Sequence, residues 1–529
     1  MRVLLVKPNN LSDHVLPSLG LGYLAAQLRR DHDVDIYDCI KEKASPEQVA
    51  RVAEAFRADM VGLQGYTFDI PKVAEILRAV RTRLPRTLTC VGGSHMTADP
   101  MAAMRHLGAD CDYGFAGEGE IQFPRMLQRI ESGATSFEAV PGAVWRCGDR
   151  VVANAPALVD DLDSLGLPAL DLLRPDTYPE AQQGAFYRKF PIAPILTTRG
   201  CPYRCRFCAA PFLSGRTLRQ HSVAYVRRLV ALLYHRYGIR EIHIVDDNFT
   251  MDIGYAKSVL RAILDLRLDI ALAMPNGIRM DAVDDELLEL MKAAGVYIVS
   301  VAVESGNDQI LRAMKKGTTT ARIRANVDRI RRHGLDVAGF FILGYPGETL
   351  DTIRRTIRFA RELDVQRANF FTFVPLPGAP IYEELVRNGE ITGKPWEAAN
   401  FAHAPYSPPG VPSQRLLSLM RYGFLRFYLR PRILVRHILA IRSYRHLRFL
   451  LRRFHHWMLM PAKRPAVERA PESVVAPAAP GVVPGRGPLV VRDGSDQLSQ
   501  DVGPALLAFQ ADKLETAGEP VARALTVAE

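Results

Sequence analysis

Three of the seven cysteines in this 529-residue chain lie in the run Arg199-Gly200-Cys201-Pro202-Tyr203-Arg204-Cys205-Arg206-Phe207-Cys208. The other four, Cys39, Cys90, Cys111 and Cys147, all lie upstream. Thiolates in a C-x3-C-x2-C spacing can reach three corners of a cubane iron–sulfur cluster and leave its fourth iron without a protein ligand. Electron-carrying clusters usually have four Cys ligands, and closed structural zinc sites also use four ligands. An open iron can bind a substrate or cofactor, so the spacing points to chemistry. The bland readings are a zinc knuckle that borrows a ligand such as His221, or three unrelated core cysteines.

The elements that must hold this loop are strands and helices in alternation. From about 191 to 395, strands are expected at Ile195–Thr198, Glu241–Val245, Ile270–Met274, Tyr297–Val303, Val337–Leu343 and Asn369–Val374, with helical segments between. Repeated βα units predict a parallel (βα)6 partial barrel with its site at the carboxyl ends of the strands. The Cys loop, Asp246-Asp247-Asn248, Glu304-Ser305-Gly306, Gly344-Tyr345-Pro346-Gly347-Glu348 and Pro375-Leu376-Pro377-Gly378 all fall at such ends.

Residues 1–140 predict a separate doubly wound parallel sheet of flavodoxin type, an α/β fold with strands at Val3–Val6, Val34–Tyr37, Met60–Gln64, Leu88–Val91 and Asp112–Phe115. Ligands bind outside the carboxyl ends of such strands, where Gly65-Tyr66-Thr67, Gly92-Gly93-Ser94-His95 and Gly117-Glu118-Gly119-Glu120 lie. Residues 141–190 read as a connector with a small hairpin. Residues 396–464 read as a basic helical extension and 465–529 as a disordered tail.

Composition sets outer limits. The chain is 48% hydrophobic and 24% charged, ordinary for a soluble globular protein of two or more domains. No apolar run approaches the roughly 18 residues of a membrane span, and the start is too short for a signal peptide. Few, odd-numbered cysteines argue against a disulfide framework and for a reducing cytoplasm. No acidic residue lies between Glu397 and Glu468, whereas arginines are frequent there. Leu447, Leu450, Leu451, Phe454, Trp457 and Met458 recur at helical spacing, with Arg448, Arg452, Arg453, His455 and His456 opposite. Such a helix can lie at a membrane interface or pack on the barrel. Peripheral contact through 430–460, at the inner membrane face, is one expectation. No base-reading module is present, so nucleic acid is not expected as a partner.

The motifs also carry a resemblance. The Cys spacing with Phe207 before Cys208 resembles the cluster loop of radical S-adenosylmethionine (SAM) enzymes. Pro17 to Ala25, Val91 to His95 and Gly117 to Glu120 resemble the cobalamin-binding domain that precedes many of them. The resemblance implies that Cys201, Cys205 and Cys208 hold a [4Fe–4S] cluster whose open iron chelates SAM, giving a 5′-deoxyadenosyl radical on reduction. It implies SAM contacts from Phe207, Asp246, Asn248, Arg279, Glu304, Ser305 and Gly344. Cobalamin contacts are implied for Leu19, Gly20, Tyr66, Thr67, Gly93, His95, Glu118 and Gly119. The D-x-H-x-x-G signature that supplies a lower cobalt ligand is absent, since Asp13 and His14 are adjacent. A polar loop histidine is preferred to a cobalt ligand for His95.

The class includes cobalamin-dependent C-methyltransferases and the anaerobic magnesium-protoporphyrin monomethyl ester cyclase. The expected reaction is methyl transfer from methylcobalamin to an unactivated carbon, with radical cyclisation as the alternative. A non-catalytic cluster or cobalamin sensor is the reading from another class. A small-molecule substrate, with a hydrophobic one (lipid, polyprenoid or tetrapyrrole) among the expectations, and an electron donor such as flavodoxin or ferredoxin are implied partners.

Overall fold

The computed structural model describes residues 1–9, 15–180, 187–391 and 404–439, with 441, 443, 444, 447, 448, 450, 451 and 489–491. Seven of the eight strands of the first sheet are β1 (Arg2–Lys7), β2 (Asp33–Asp38), β3 (Met60–Gln64), β4 (Leu88–Gly92), β5 (Tyr113–Phe115), β6 (Ala143–Cys147) and β7 (Arg150–Ala153). Their order is β7-β6-β5-β4-β3-β1-β2, with β1 to β5 all parallel. Leu4 and Val6 join one core, whereas Val3 and Leu5 join another beside Leu21, Ala25 and Leu28. Alternate residues of β1 therefore bury on opposite faces, as a doubly wound sheet requires. Strand order reverses between β1 and β3, which opens a ligand crevice beyond their carboxyl ends.

One expected boundary moves. The hairpin assigned to a connector after residue 140 is β6 and β7, and it completes the first sheet by antiparallel pairing with β5. Val144 and Trp145 are buried there, so the hairpin has no independent core.

The second sheet contains β8 (Ile192–Ile195), β11 (Glu241–Ile244), β12 (Ala271–Ile278), β13 (Val296–Glu304), β14 (Asp336–Leu343) and β15 (Arg367–Thr372), paired in parallel in that order. β8 and β15 do not pair, which gives the partial barrel. Between β8 and β11 lies a separate ribbon of β9 (Thr198–Arg199) and β10 (Arg219–Gln220), joined antiparallel. Leu272, Met274, Val299, Val301, Val303, Val337, Phe341 and Leu343 bury against the surrounding helices. Ala271, Ala273, Tyr297, Ile298 and Ala338 form a small cluster of their own.

Two helices follow the barrel. Ser413–Tyr428 packs on β15 and on the helix Leu350–Glu362, with Gly423 directly over Ile357. Pro431–Leu439 comes next. The amphipathic segment read from the sequence at 447–458 lies mostly outside the described residues, as does nearly all of 465–529. Within that tail, β16 (Leu489–Val491) pairs antiparallel with β7 as the eighth strand of the first sheet and covers its outer edge. Among the described residues no helix is long and apolar enough to cross a membrane.

Candidate functional site

Cys201 follows β9 after one residue, Gly200. That glycine has φ +94°, and a Cβ there would fall 2.2 Å from the Thr217 carbonyl oxygen. Only glycine fits such a turn. The loop beyond is pinned by backbone hydrogen bonds: Cys201 N–H to Gly215 O at 3.0 Å, Arg206 N–H to Met314 O at 3.0 Å and Ile381 N–H to Arg206 O at 2.9 Å. Arg206 also pairs with Glu384. The three thiols are unbridged and half-buried. Burial raises Cys201, and pushes Cys208 up to about 12, with Asp247 and neighbouring thiols adding to both. Metal binding must displace those protons.

Two of the residues expected to meet SAM are hydrogen-bonded within the fold. Asp246 is 1% exposed and accepts from Thr197 N–H (2.7 Å), Thr197 Oγ1 (2.5 Å) and Thr198 Oγ1 (2.9 Å). It braces the segment leading into the Cys loop instead of offering an acceptor at the mouth. Ser305, fully buried, exchanges a 3.2 Å hydrogen bond with Thr356 and caps Asn307 N–H. Both were expected as cofactor contacts, and both make these bonds within the fold.

Four others have the following surroundings. Asn248 is buried, and among the described residues its Oδ1 has no hydrogen-bond partner. The Arg279 guanidinium stacks 4.0 Å from the ring centroid of Tyr203, inside the Cys loop. Glu304 ends β13 at φ +64° and pairs with Lys316 at 3.1 Å. Lys316 Nζ also lies 5.6 Å above the Phe207 ring, a role the sequence did not announce. Gly344 (φ +84°) admits Leu416, which would be 2.5 Å from a Cβ, and its N–H donates to Glu348 at 2.6 Å.

On the first sheet, the loops after β3 and β4 stack backbone on backbone. A Cβ on Gly93 (φ +101°) would fall 2.8 Å from Gly65 O. Thr97 Oγ1 donates to Gly93 O and accepts from Gly117 N–H, which ties in the loop after β5. Ser18 donates to Gln64, whose amide donates to Tyr66 OH at 3.0 Å. Tyr66 is 46% exposed, and a Cβ on Gly20 would meet nothing within 4 Å. Leu19 is half-buried and Thr67 buried. His95 is wholly buried, and burial pushes its imidazolium down to about 4. It is a neutral interior residue. Glu118 also turns inward: hydrogen bonds from Arg219 and the charge of Arg199 outweigh burial and hold its carboxyl below the usual range.

His221, the borrowed ligand of the zinc-knuckle reading, is committed elsewhere. It lies 3.8 Å from the Tyr225 ring and bonds Asp163 at 2.9 Å. Among the described residues no three His, Cys, Asp or Glu side chains converge on a single ion. Ligands of a cubane instead bind separate irons. The half-buried unbridged triad, the unpartnered Asn248 Oδ1 and the open edge at Gly20 and Tyr66 fit a cluster, SAM and a corrinoid respectively.

The comparisons agree. Residues 195–360 match the radical SAM superfamily, and residues 11–127 match the B12 binding domain. An uncharacterized methyltransferase of Pyrococcus horikoshii is 30% identical over 426 residues, covering 80% of this chain and 90% of the relative. Cytidylyl-2-hydroxyethylphosphonate methyltransferase of Streptomyces wedmorensis is also 30% identical, over 74% of this chain and 82% of that one. The solved radical SAM methyltransferase TsrM of Kitasatospora setae, with cobalamin and a [4Fe–4S] cluster bound, shares the fold. Its TM-score is 0.60 at 23% identity, covering 73% and 75% of the two chains.

Fold and site thus define a radical SAM enzyme with a corrinoid domain ahead of the barrel. The chain belongs to the cobalamin-dependent radical SAM family that contains these methyltransferases, and its cofactors are a [4Fe–4S] cluster, SAM and cobalamin.

Proposed function

We propose that this enzyme methylates an unactivated carbon of a small hydrophobic molecule. The observation that carries the reading is the opposition of the two ligand edges. The helix Ser94–Ala98, which starts in the loop after β4, packs on Ala210–Leu213, which starts just after Cys208. A substrate held beside this contact would be within reach of both cofactors. When bound there, the reduced cluster supplies the electron that cleaves SAM to a 5′-deoxyadenosyl radical, and methylcobalamin supplies the methyl group.

The protein's part is placement. Cys201, Cys205 and Cys208 would ligate three irons. Arg279 would pair with the SAM carboxylate, and Asn248 Oδ1 would accept from its amino group. Glu304 and Gly344 would flank the ribose and adenine, with Phe207 beside the loop. Tyr66, Gly20 and the backbone at Gly93 and Gly119 would line the corrinoid edge. A flavodoxin or ferredoxin would deliver the electron. The apolar stripe on Pro431–Leu439 supports a hydrophobic substrate met at a membrane surface.

The test is anaerobic. Reconstituted protein with cobalamin, SAM and reductant is expected to yield S-adenosylhomocysteine together with 5′-deoxyadenosine, and Cys205→Ala is expected to yield no 5′-deoxyadenosine. Formation of 5′-deoxyadenosine alone, without S-adenosylhomocysteine, would replace methyl transfer with a cyclase-type reaction.

A further inference from the structure

Arg199 and Arg219 are direct cross-strand partners in the β9–β10 ribbon, and they are only 9% and 6% exposed. Like charges facing each other weaken a strand pair, and a buried charge without a partner is strongly unfavourable. The carboxylates that answer them come from the loop after β5, on the other sheet. Glu118 accepts from Arg219 at 2.7 and 2.8 Å and lies 3.4 Å from Arg199. Glu120 accepts from Arg199 at 2.8 Å. All four side chains are at most 10% exposed. Arg199 further stacks over Tyr23, on the helix Leu19–Leu28, with its guanidinium 5.5 Å from the ring centroid.

We propose that Glu118 and Glu120 are positioning residues for the iron–sulfur cluster. The corrinoid domain supplies the countercharge that lets the ribbon pair, and thereby sets where Cys201 meets its iron. Arg199 is separated from Cys201 only by Gly200, whose space is closed by Thr217 O. A shift of the Gly117–Glu120 loop is therefore passed to Cys201 with little slack. The two cofactor sites form one mechanical unit, whichever reaction the enzyme performs. Loops that line the corrinoid crevice thus hold the first cluster ligand in place.

The test uses the full chain and reads binding and spectra, not turnover. Wild type, Glu118→Gln and the double variant Glu118→Gln/Arg219→Gln are loaded with hydroxocobalamin and reconstituted with iron and sulfide. Bound corrinoid is read by absorbance, iron and sulfide by stoichiometry, and the reduced cluster by electron paramagnetic resonance with and without SAM. Glu118→Gln leaves Arg219 uncompensated. It is expected to keep its corrinoid and its circular dichroism but to lose most of the SAM-dependent change in the cluster spectrum. The double variant, with both charges removed, is expected to regain that change. A Glu118→Gln cluster identical to wild type, loss of corrinoid with the cluster untouched, or no recovery in the double variant would each overturn the proposal. If Glu118→Gln does not fold, Glu120→Gln, which leaves Arg199 beside Glu118, decides: an altered SAM-dependent spectrum supports the proposal and an unaltered one rejects it.

Discussion

Glu348 closes the turn after β14, is 2% exposed, and takes the N–H groups of Gly344 and Tyr345 at 2.6 and 3.1 Å. Burial raises its pKa from 4.5 to about 7, against the opposing pull of those two donors. The folded-state value lies above the ordinary one, so protonation favours the fold. This contribution is complete below pH 4.5 and is lost as pH rises through about 7. At 1.36 kcal/mol per unit it amounts to about 3 kcal/mol. Glu348→Gln stays neutral and removes the slope. Thermal midpoints of the metal-free chain from about pH 5 to about pH 7.5 should show the variant gaining on wild type as pH rises, whereas parallel curves would refute the assignment. Which residue of a motif does what was less legible than the motif itself. The cysteines were evident because their spacing has few other uses. Asp246 is the expected SAM contact in preference to Asp247, although the alternation that would separate the two breaks down where a strand turns into a loop. Asp246 faces Thr197 and Thr198 within the fold, whereas Asp247 is the exposed one. Ser305 turns into the fold for a related reason: the left-handed backbone at Glu304 redirects the residue after it.

At the scale of elements, the glycines at the corrinoid edge separate into two kinds. Gly93 has no room for a side chain, since its Cβ would meet the Gly65 backbone at 2.8 Å and 3.0 Å. Gly93→Ala should cost roughly 1–3 kcal/mol from the left-handed backbone alone, and it should split the loops after β3 and β4. A lower thermal midpoint with less corrinoid retained on purification is expected. Gly20 lies in the first turn of Leu19–Leu28 and faces open space. Gly20→Ala should stabilise that helix by up to about 1 kcal/mol, while its methyl group projects where the corrinoid is proposed to bind. Midpoint unchanged or higher with weaker hydroxocobalamin binding is the expected pair of results; unchanged affinity would move the corrinoid away from Gly20. The long parallel strands were readable because burial on both faces forces continuous apolar runs. β9 and β10, at two residues each, have no periodicity to read, and the charges that balance them lie 101 and 79 residues away along the chain.

Across the whole molecule, the extension after the barrel leaves the largest question of where substrate is met. Pro431–Leu439 is held to the barrel by buried Ile433 and by ion pairs from Arg432 to Asp364 at 3.2 Å and from Arg436 to Asp336. These anchors leave Leu434, Val435, Ile438 and Leu439 at 45%, 54%, 55% and 79% exposure, with Leu429 at 63% just before them. Spacings of four residues put Leu434 with Ile438 and Val435 with Leu439 along one side of the helix. A contiguous apolar patch on a protein surface marks an interaction site more often than chance. It lies in a stretch with no acidic residue from 398 to 467, on a chain of net charge +11, so an anionic lipid surface would add about 1 kcal/mol for each basic residue brought near it. Burying each large side chain in the interface would add up to about 1.5–3 kcal/mol. Wild-type protein should therefore sediment with vesicles containing anionic lipid and be released by salt only in part. Leu434→Ser with Ile438→Ser should abolish binding without lowering the thermal midpoint, because neither side chain contributes to the core. Wild type remaining in the supernatant would assign the stripe to a protein surface instead, and would leave a hydrophobic substrate to reach the barrel from solution.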